Sequence, residues 1–181
     1  MNNHNRKPNR LKDYDYSQTG YYLITICTQD RVNYFGEIEK EQIQLSDIGQ
    51  IVTDCWRAIP IHFRNTALDE FVVMPNHIHG IIVIKGNNSL QDDGNGVGNN
   101  DRCSLRNARN MQLLPKIISQ YKSSVTRMVR RQWNNHSFGW QKSFYDHVIR
   151  NNQDLHRART YIQNNPLSWA LDKNNRANWN E

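Results

Sequence analysis

The sequence predicts one α+β domain in which antiparallel strands pack against helices on one face. Three observations predict it. Segments rich in β-branched and aromatic residues alternate with segments of helical period. The strands come in neighbouring pairs, as in antiparallel hairpins. The chain has 181 residues, which is the length of one domain of ordinary size.

The first predicted strand covers residues 20–28, where β-branched and aromatic side chains dominate. A turn leads to a short second strand over 32–38, and the residues from 41 to 45 fit neither strand nor helix. Ser46 is a typical N-cap, and apolar residues recur behind it at helical spacing until Pro60. We therefore expect two strands followed by a helix.

A second hairpin follows this helix. Residues 68–73 form its first strand, Pro75 and Asn76 make the turn, and residues 77–84 form the returning strand. Residues 86–110 begin with a run dominated by Gly, Asn and Asp that contains little that can be buried. We expect a flexible loop there.

The last third of the chain predicts two helices and an extended segment between them. A long helix is expected over 115–133, because its apolar residues recur along one side. Residues 140–149 contain the extended segment. A short helix over 154–165 ends before Pro166, and its core side is apolar. That core side consists of Leu155, Ala158 and Ile162.

The two ends of the chain are polar, which sets the expected domain boundaries. Residues 1–19 form a basic, flexible arm and residues 170–181 an irregular tail, so that 20–169 is a single domain. No run approaches the roughly 18 apolar residues of a membrane span. No apolar segment follows the polar N-terminus either. The sequence thus predicts a soluble cytoplasmic protein. Its three widely spaced cysteines exclude a Cys-x-x-Cys zinc ribbon.

The charge distribution indicates a polyanionic partner. The net charge is +6, and nine Lys or Arg residues occur between positions 102 and 145 without one Asp or Glu. Such a block is either a solvated face or a nucleic-acid-binding face. The basic residues of interest lie in the N-terminal arm and on the long helix. They are Arg6, Lys7, Arg10, Lys12, Lys122, Arg127, Arg130 and Arg131.

The pattern His77-Ile78-His79 lies at the start of a predicted strand. Because alternate residues of a strand point to the same face, the two imidazoles stand side by side. Together they can bind a divalent metal, or they can be a pair of surface histidines. A histidine-triad hydrolase would need a third alternating histidine, and Ile81 stands at that position.

Tyr161 and Asn165 lie four residues apart on the last helix and share one side of it. Neither belongs to its apolar stripe. A tyrosine hydroxyl can attack phosphorus when a nearby cation or base helps it, and an amide oxygen can complete a metal shell. The same spacing also suits a tyrosine that only packs, and the residues alone leave both interpretations open.

Three motifs, in this order, resemble the single-tyrosine HUH transposases, in particular the REP-associated tyrosine transposases. They are PNHIHG at 75–80, WQKSFYDHVIRN at 140–151 and YIQNNP at 161–166. The residues at 10–16 and 22–29 are similar to this branch as well. The resemblance covers roughly residues 6–169, with the Gly/Asn-rich loop as its main gap.

The resemblance implies a ferredoxin-like sheet and an enzyme that cuts single-stranded DNA beside a hairpin. It implies Mg²⁺ or Mn²⁺ held by His77, His79 and Asn165, with Tyr161 as the nucleophile that forms a 5′-phosphotyrosine link. Tyr145 is the rival nucleophile. Tyr161 is preferred because the family tyrosine precedes an Asn-Pro pair on the last helix.

The resemblance leaves other points open. His147 lies inside the second motif, and its role is undecided. The basic arm and the long helix are expected to hold DNA through phosphate contacts, in a monomer or homodimer associated with the nucleoid. The alternative is a silent or domesticated protein that binds DNA hairpins without cutting them.

Overall fold

The computed structural model describes residue 11 and residues 14–86, 112–133 and 136–179. Within these ranges the chain forms six strands, four α-helices and three short 3₁₀ segments. The strands are β1 (Gly20–Cys27), β2 (Gly36–Glu39), β3 (Gln42–Leu45), β4 (Thr66–Met74), β5 (His77–Ile84) and β6 (Tyr145–Ile149). The helices are α1 (Asp47–Arg57), α2 (Ile59–His62), α3 (Leu113–Trp133) and α4 (Asn152–Asn164). The 3₁₀ segments are Gln29–Arg31, Trp169–Leu171 and Arg176–Trp179.

Four strands form an antiparallel sheet in the order β4-β5-β1-β6, and β2 pairs with β3 in a separate hairpin. Along the chain the main elements follow as β1, α1, β4, β5, α3 and β6. This is the ferredoxin-like arrangement, with β1 and β5 at the centre. The predicted α+β fold with an antiparallel sheet is confirmed.

Helices α1 and α3 pack on one face of this sheet, as predicted. Alternate residues of β1 point to that face, and Tyr22, Ile24 and Ile26 are fully buried there. Trp56 of α1 meets Tyr121 of α3 edge to face, with ring centroids 5.4 Å apart. The larger of two apolar cores lies between these helices and the sheet.

Helix α4 packs on the opposite face of the sheet and forms a smaller apolar core there. The sequence did not specify which face this helix would cover. Its predicted core residues Leu155, Ala158 and Ile162 cluster with Ile81 of β5 and Ile149 of β6. The residues of β5 that face this way also include both histidines, because they alternate with the residues of the larger core. The fold therefore brings the last helix to the face that carries the His-x-His pair.

Hydrogen bonds between polar side chains also join α4 to β4, the strand at the edge of the sheet. Arg159 of α4 donates two hydrogen bonds to the carboxylate of Asp69, at 2.8 and 2.6 Å. Gln163 reaches the neighbouring Glu70 at 3.2 Å. Both acidic residues lie where the β4–β5 pairing shifts register, between Leu68 and Phe71. The irregularity in β4 thus carries the acidic residues that hold α4.

The helix ends follow ordinary capping rules. The Ser46 hydroxyl accepts a hydrogen bond from the Gly49 amide at 3.1 Å, so the predicted cap of α1 is confirmed. Asn151 caps α4 in the same way, accepting from the Asp154 amide at 2.8 Å. This cap starts α4 slightly before the predicted position. Residues 42–45, which fitted neither pattern, form β3.

The prediction of a flexible arm is wrong for the last residues of that arm, from Tyr14 onward. Tyr16 is only 2% exposed, and its ring packs edge to face on Tyr14, with ring centroids 4.9 Å apart. The Ser17 hydroxyl accepts a hydrogen bond from the Leu113 amide at 2.9 Å. This end of the arm is held because its aromatic rings complete the larger core. Residues 1–10, 12–13 and 87–111, with most of the Gly/Asn-rich loop, lie outside the described residues.

The irregular tail is partly ordered in short 3₁₀ segments, and it returns to the sheet. Asn174 is buried, and its backbone carbonyl accepts a hydrogen bond from Asn76 at 2.9 Å. Among the described helices, none has the length and apolar character needed to cross a membrane.

Candidate active site

The two histidines at the start of β5 stand side by side, as strand alternation predicts. His77 and His79 are 0% and 2% exposed, and their Nε2 atoms lie 3.0 Å apart. Both imidazoles are on the face where α4 packs. They are not surface histidines, so that interpretation of the pair is excluded.

Asn76 determines which nitrogen of His77 carries the proton. The Asn76 amide nitrogen donates to the backbone carbonyls of Arg31 and Asn174, at 3.0 and 2.9 Å. Its Oδ1 is thereby directed at His77 Nδ1, 2.9 Å away. An amide oxygen only accepts hydrogen bonds, so neutral His77 must donate from Nδ1. His77 Nε2 is then left with a lone pair that points toward His79.

His79 is oriented from the central strand. Its Nδ1 lies 2.8 Å from the hydroxyl of Thr25, the residue opposite it on β1. A hydroxyl can donate or accept, so His79 can offer either an N–H or a lone pair at Nε2. The contacts with Asn76 and Thr25 orient the two rings, as is typical of metal-binding histidines.

The environment keeps both imidazoles neutral. Burial lowers the pKa of His77 well below its usual value, and the charge of His79 adds to this effect. Burial, followed by the charges of Lys173 and Arg31, lowers the pKa of His79 to about 3. Neutral imidazoles are the form that binds metals.

Tyr161 reaches this pair from α4. Its hydroxyl lies 3.2 Å from His79 Nε2, and the two ring centroids are 5.0 Å apart. The Tyr161 side chain is 45% exposed, in contrast to the two buried histidines. Burial raises the pKa of the phenol, and a hydrogen bond with Asn165 opposes that shift. The phenol is therefore neutral near pH 7.

Asn165 follows the last turn of α4 and is 4% exposed. Its side chain is close enough to His77 and Tyr161 to influence both pKa values. Within the part of the chain that the structure describes, however, its Oδ1 accepts no hydrogen bond of good geometry. A buried acceptor without a donor is costly unless something positive meets it.

Asp172 is an acidic member of the site that sequence reasoning missed. Its Oδ2 lies 3.7 Å from His77 Nε2, and one ligand atom each from His77, His79 and Asp172 fall within 4.8 Å of one another. The residue lies in the segment that the sequence assigned to the tail. No spacing or periodicity there indicates a ligand.

The donor set fits a divalent cation. Two ligand atoms at right angles on bonds of about 2.1 Å lie about 3.0 Å apart, which matches the spacing of the two Nε2 atoms. The oxygens of Asp172 and Asn165 add a carboxylate and an amide. Mixed imidazole and oxygen ligands suit borderline and hard divalent cations, which include Mn²⁺ and Mg²⁺.

The rival tyrosine and the third histidine lie apart from this centre. Tyr145 is the first residue of β6, opposite Thr25, and is therefore two strands away from His79. His147 Nε2 lies 2.9 Å from the Asp154 carboxylate in the first turn of α4. The structure thus brings Tyr161, and neither of these two, against the His pair.

The basic residues of α3 lie elsewhere on the surface. Lys122, Arg127 and Arg130 line an open groove of 1040 Å³ between α3 and residues 136–144, whereas Arg131 does not. Lys122 donates to the backbone carbonyls of Gln141 and Ser143, at 2.9 and 3.0 Å, and so holds one wall of the groove. The arm residues Arg6, Lys7, Arg10 and Lys12 lie outside the described residues.

Two relatives from Haemophilus influenzae are similar over most of the chain. An uncharacterized protein is 38% identical, covering 94% of this chain and 93% of its own length. A protein named as a REP-associated tyrosine transposase is 26% identical, covering 84% of this chain and 73% of its own length. No family model matches the sequence.

A solved structure of a REP-associated tyrosine transposase bound to a REP hairpin shares the fold. Its TM-score is 0.53 at 17% identity, covering 91% of this chain and 76% of that chain. The named relative, the common fold and the three ordered motifs point the same way. The chain is similar to the REP-associated tyrosine transposases in sequence, and it shares the fold of the solved one.

Proposed function

We propose that this protein is a metal-dependent endonuclease and strand transferase for single-stranded DNA, with Tyr161 as its nucleophile. The observation that carries the proposal is the contact between the Tyr161 hydroxyl and His79 Nε2, at 3.2 Å. Pure DNA binding needs neither a half-exposed tyrosine beside two buried, neutral imidazoles nor an unpaired buried amide oxygen next to them.

The proposed reaction exchanges one phosphoester for another. The Tyr161 oxygen forms a bond to phosphorus, the bond between phosphorus and the 3′ oxygen breaks, and the DNA 5′ end stays on the tyrosine. The phenol gives up its proton, and the departing 3′ oxygen takes one up as a free 3′-OH. Attack by another 3′-OH reverses the exchange and joins strands without an external energy source.

His77, His79, Asp172 and Asn165 would hold the metal ion. When bound, such an ion polarises a phosphate and offsets the charge that develops on it. The chain itself holds Tyr161 beside the ligands through the packing of α4. It also keeps both histidines neutral through burial, and it fixes the His77 tautomer through Asn76.

The groove along α3 supports a DNA path that leads to this site. Gln29 is one of its lining residues, and the Gln29 backbone amide donates to the Gly139 carbonyl at 2.9 Å. The backbone amide of the adjacent Thr28 donates to the Asn76 carbonyl. Cys27, the last residue of β1, stands opposite His77 in the pairing of β1 with β5. A phosphate backbone that contacts Arg127 and Arg130 would therefore approach the His pair along the end of β1. The hairpin bound in the solved relative makes a DNA hairpin the proposed substrate.

The covalent intermediate provides the test. Labelled single-stranded hairpin DNA is incubated with the protein and Mn²⁺, and adducts are separated on a denaturing gel. We expect an adduct with the wild type and with Tyr145→Phe, and none with Tyr161→Phe, which should still bind the hairpin. Hairpin binding without any adduct in the wild type would instead identify a DNA-binding protein that does no chemistry.

The groove has its own test in the salt dependence of hairpin binding. Arg127→Gln with Arg130→Gln should weaken binding, and the slope of log affinity against log salt should fall by about 0.7 for each lost phosphate contact on a single strand. Arg64→Gln is the matched control, since this exposed residue precedes β4 at the far end of the sheet. An unchanged slope in the double variant would place the DNA elsewhere.

A further inference from the structure

Arg31 lies on a tight turn that contacts Asn76, the residue before His77. It is one of two successive residues with positive φ, at 54° for Arg31 and 52° for Asp30. Residues other than glycine adopt this conformation at a cost. The Arg31 carbonyl accepts one of the two hydrogen bonds from Asn76 that orient His77. The turn is therefore tied to the residue that precedes the first histidine.

Among the residues that the structure describes, the Arg31 guanidinium forms no ion pair with a carboxylate. Its Nη1 atom is buried and lacks a hydrogen-bond acceptor within the described parts of the chain. The Asp172 carboxylate lies 3.7 Å from His77 Nε2, and none of the ion pairs among the described residues joins it to Arg31. A buried guanidinium N–H without an acceptor is unfavourable, and an anion from outside the protein would satisfy it.

The positive charge of Arg31 reaches the reaction centre. It is among the causes that lower the pKa values of His77 and His79, and Lys173 acts in the same direction on both. Arg31 and Lys173 thus create a positive field around the two neutral imidazoles, and the Tyr161 hydroxyl lies 3.2 Å from one of them. Such a field suits a group that carries negative charge when it lies next to that hydroxyl.

We propose that Arg31 binds a nonbridging oxygen of the DNA phosphodiester on which Tyr161 acts. This inference rests on the proposed function and adds a residue to it. The planar guanidinium can donate two parallel hydrogen bonds to phosphate oxygens, and it would neutralise charge as the new phosphorus–oxygen bond forms. Arg31 would be a catalytic residue in this sense, because it contacts the reacting group itself.

The test replaces Arg31 in the protein and, separately, the negative charge of the cleaved phosphodiester in the DNA. Adduct formation is followed in single turnovers with Mn²⁺, on hairpin DNA carrying either a normal phosphodiester or a neutral methylphosphonate at the cleaved position. On the phosphodiester, Arg31→Gln should be slower than the wild type by about 100-fold. On the methylphosphonate the two proteins should react at similar rates. Arg64→Gln should match the wild type on both.

A purely structural role for Arg31 would slow both substrates equally, and that result would overturn the inference. A second measurement does not depend on cleavage. Inorganic phosphate is titrated into the protein while the ring resonances of His77 and His79 are observed by NMR. They should shift in the wild type and in Tyr161→Phe, and stay unchanged in Arg31→Gln.

The two proposals fail separately. If the wild type forms no adduct, the proposed chemistry is wrong, and the phosphate titration alone then decides the role of Arg31. A phosphate response that is equal in the wild type and in Arg31→Gln would overturn the inference even if Tyr161 proves to be the nucleophile.

Discussion

His77 Nε2 lies 3.7 Å from the Asp172 carboxylate, and the contact of Asn76 with the other ring nitrogen leaves a lone pair on this one. Asn76 holds a proton on the far side of the His77 ring, so Nε2 stays free for a cation. Asp172 supplies the only carboxylate that the structure groups with the two histidines within the described residues. At the scale of single residues, metal affinity should therefore depend on both Asn76 and Asp172.

Asp172→Asn and Asn76→Ala should each weaken Mn²⁺ binding. The loss should be about 10- to 100-fold for Asn76, which contacts the proposed ligand His77 and not the metal itself. Calorimetric titration with Mn²⁺ measures both. Asp154→Asn is the matched control, because Asp154 also contacts a histidine, His147, but lies away from the pair. Unchanged affinity in Asp172→Asn would remove this residue from the ligand set.

The residues of the site differ in how far sequence alone could indicate them. His77 and His79 follow from strand alternation, which has a fixed period of two. Tyr161 and Asn165 share a helical side, but only the family resemblance gives that side a role. Asp172 and Arg31 lie in a tail and a turn. No periodic pattern marks them, since their positions depend on how distant segments meet.

At the scale of elements, Gly80 lets α1 approach the strand that carries the histidines. A Cβ atom at Gly80 would lie 2.4 Å from Cζ2 of Trp56, which is fully buried. The indole thus packs directly on the backbone of β5, one residue after His79. The glycine of the PNHIHG motif is required here by close packing.

Gly80→Ala should therefore destabilise the protein by about 1–3 kcal/mol, because the indole or the strand must move. Urea unfolding measures this loss, and Mn²⁺ affinity should fall with it as His79 shifts. Gly20→Ala is the control, since a Cβ there meets only ordinary contacts at 3.8 Å from Tyr22. Equal stability of the two variants would contradict the packing account.

Helix α4 shows why element prediction does not extend to docking. Its apolar stripe was predictable, and the structure places that stripe in a core. The face of the sheet that it covers was not predictable. That choice rests on the small apolar core and on the paired side chains Asp69 and Arg159, which lie far apart in the sequence.

At the scale of the whole molecule, the buried histidines link stability to acidity. His79 in the unfolded chain titrates near 6.5, whereas burial and nearby positive charges lower its folded pKa to about 3. Between these values the unfolded chain binds a proton that the folded chain does not. Stability is therefore lost as pH falls through this window.

For each such histidine, the free energy of unfolding should fall by about 1.4 kcal/mol per pH unit within the window. His79→Gln should make the dependence shallower by that amount in metal-free buffer, as measured by urea unfolding between pH 4 and 7 at about unit steps. His62→Gln, at an exposed histidine, should not. A steep dependence that survives in His79→Gln would show that other groups cause it.

The fold, its antiparallel sheet and the face occupied by α1 and α3 were predictable from the sequence, because they follow from local periodicity and short connections. The arrangement of the proposed catalytic centre was not. It joins a turn near residue 31, the start of β5, the end of α4 and a segment near residue 172. These four segments meet only in the folded molecule.

The most direct measurement is to locate the covalent nucleotide by mass spectrometry. Trypsin separates the two candidate tyrosines, because Tyr161 lies between Arg159 and Lys173 and Tyr145 between Lys142 and Arg150. After incubation with hairpin DNA and Mn²⁺, followed by nuclease and trypsin, we expect a nucleotide on the peptide from 160 to 173. A nucleotide on the peptide from 143 to 150 would contradict this expectation.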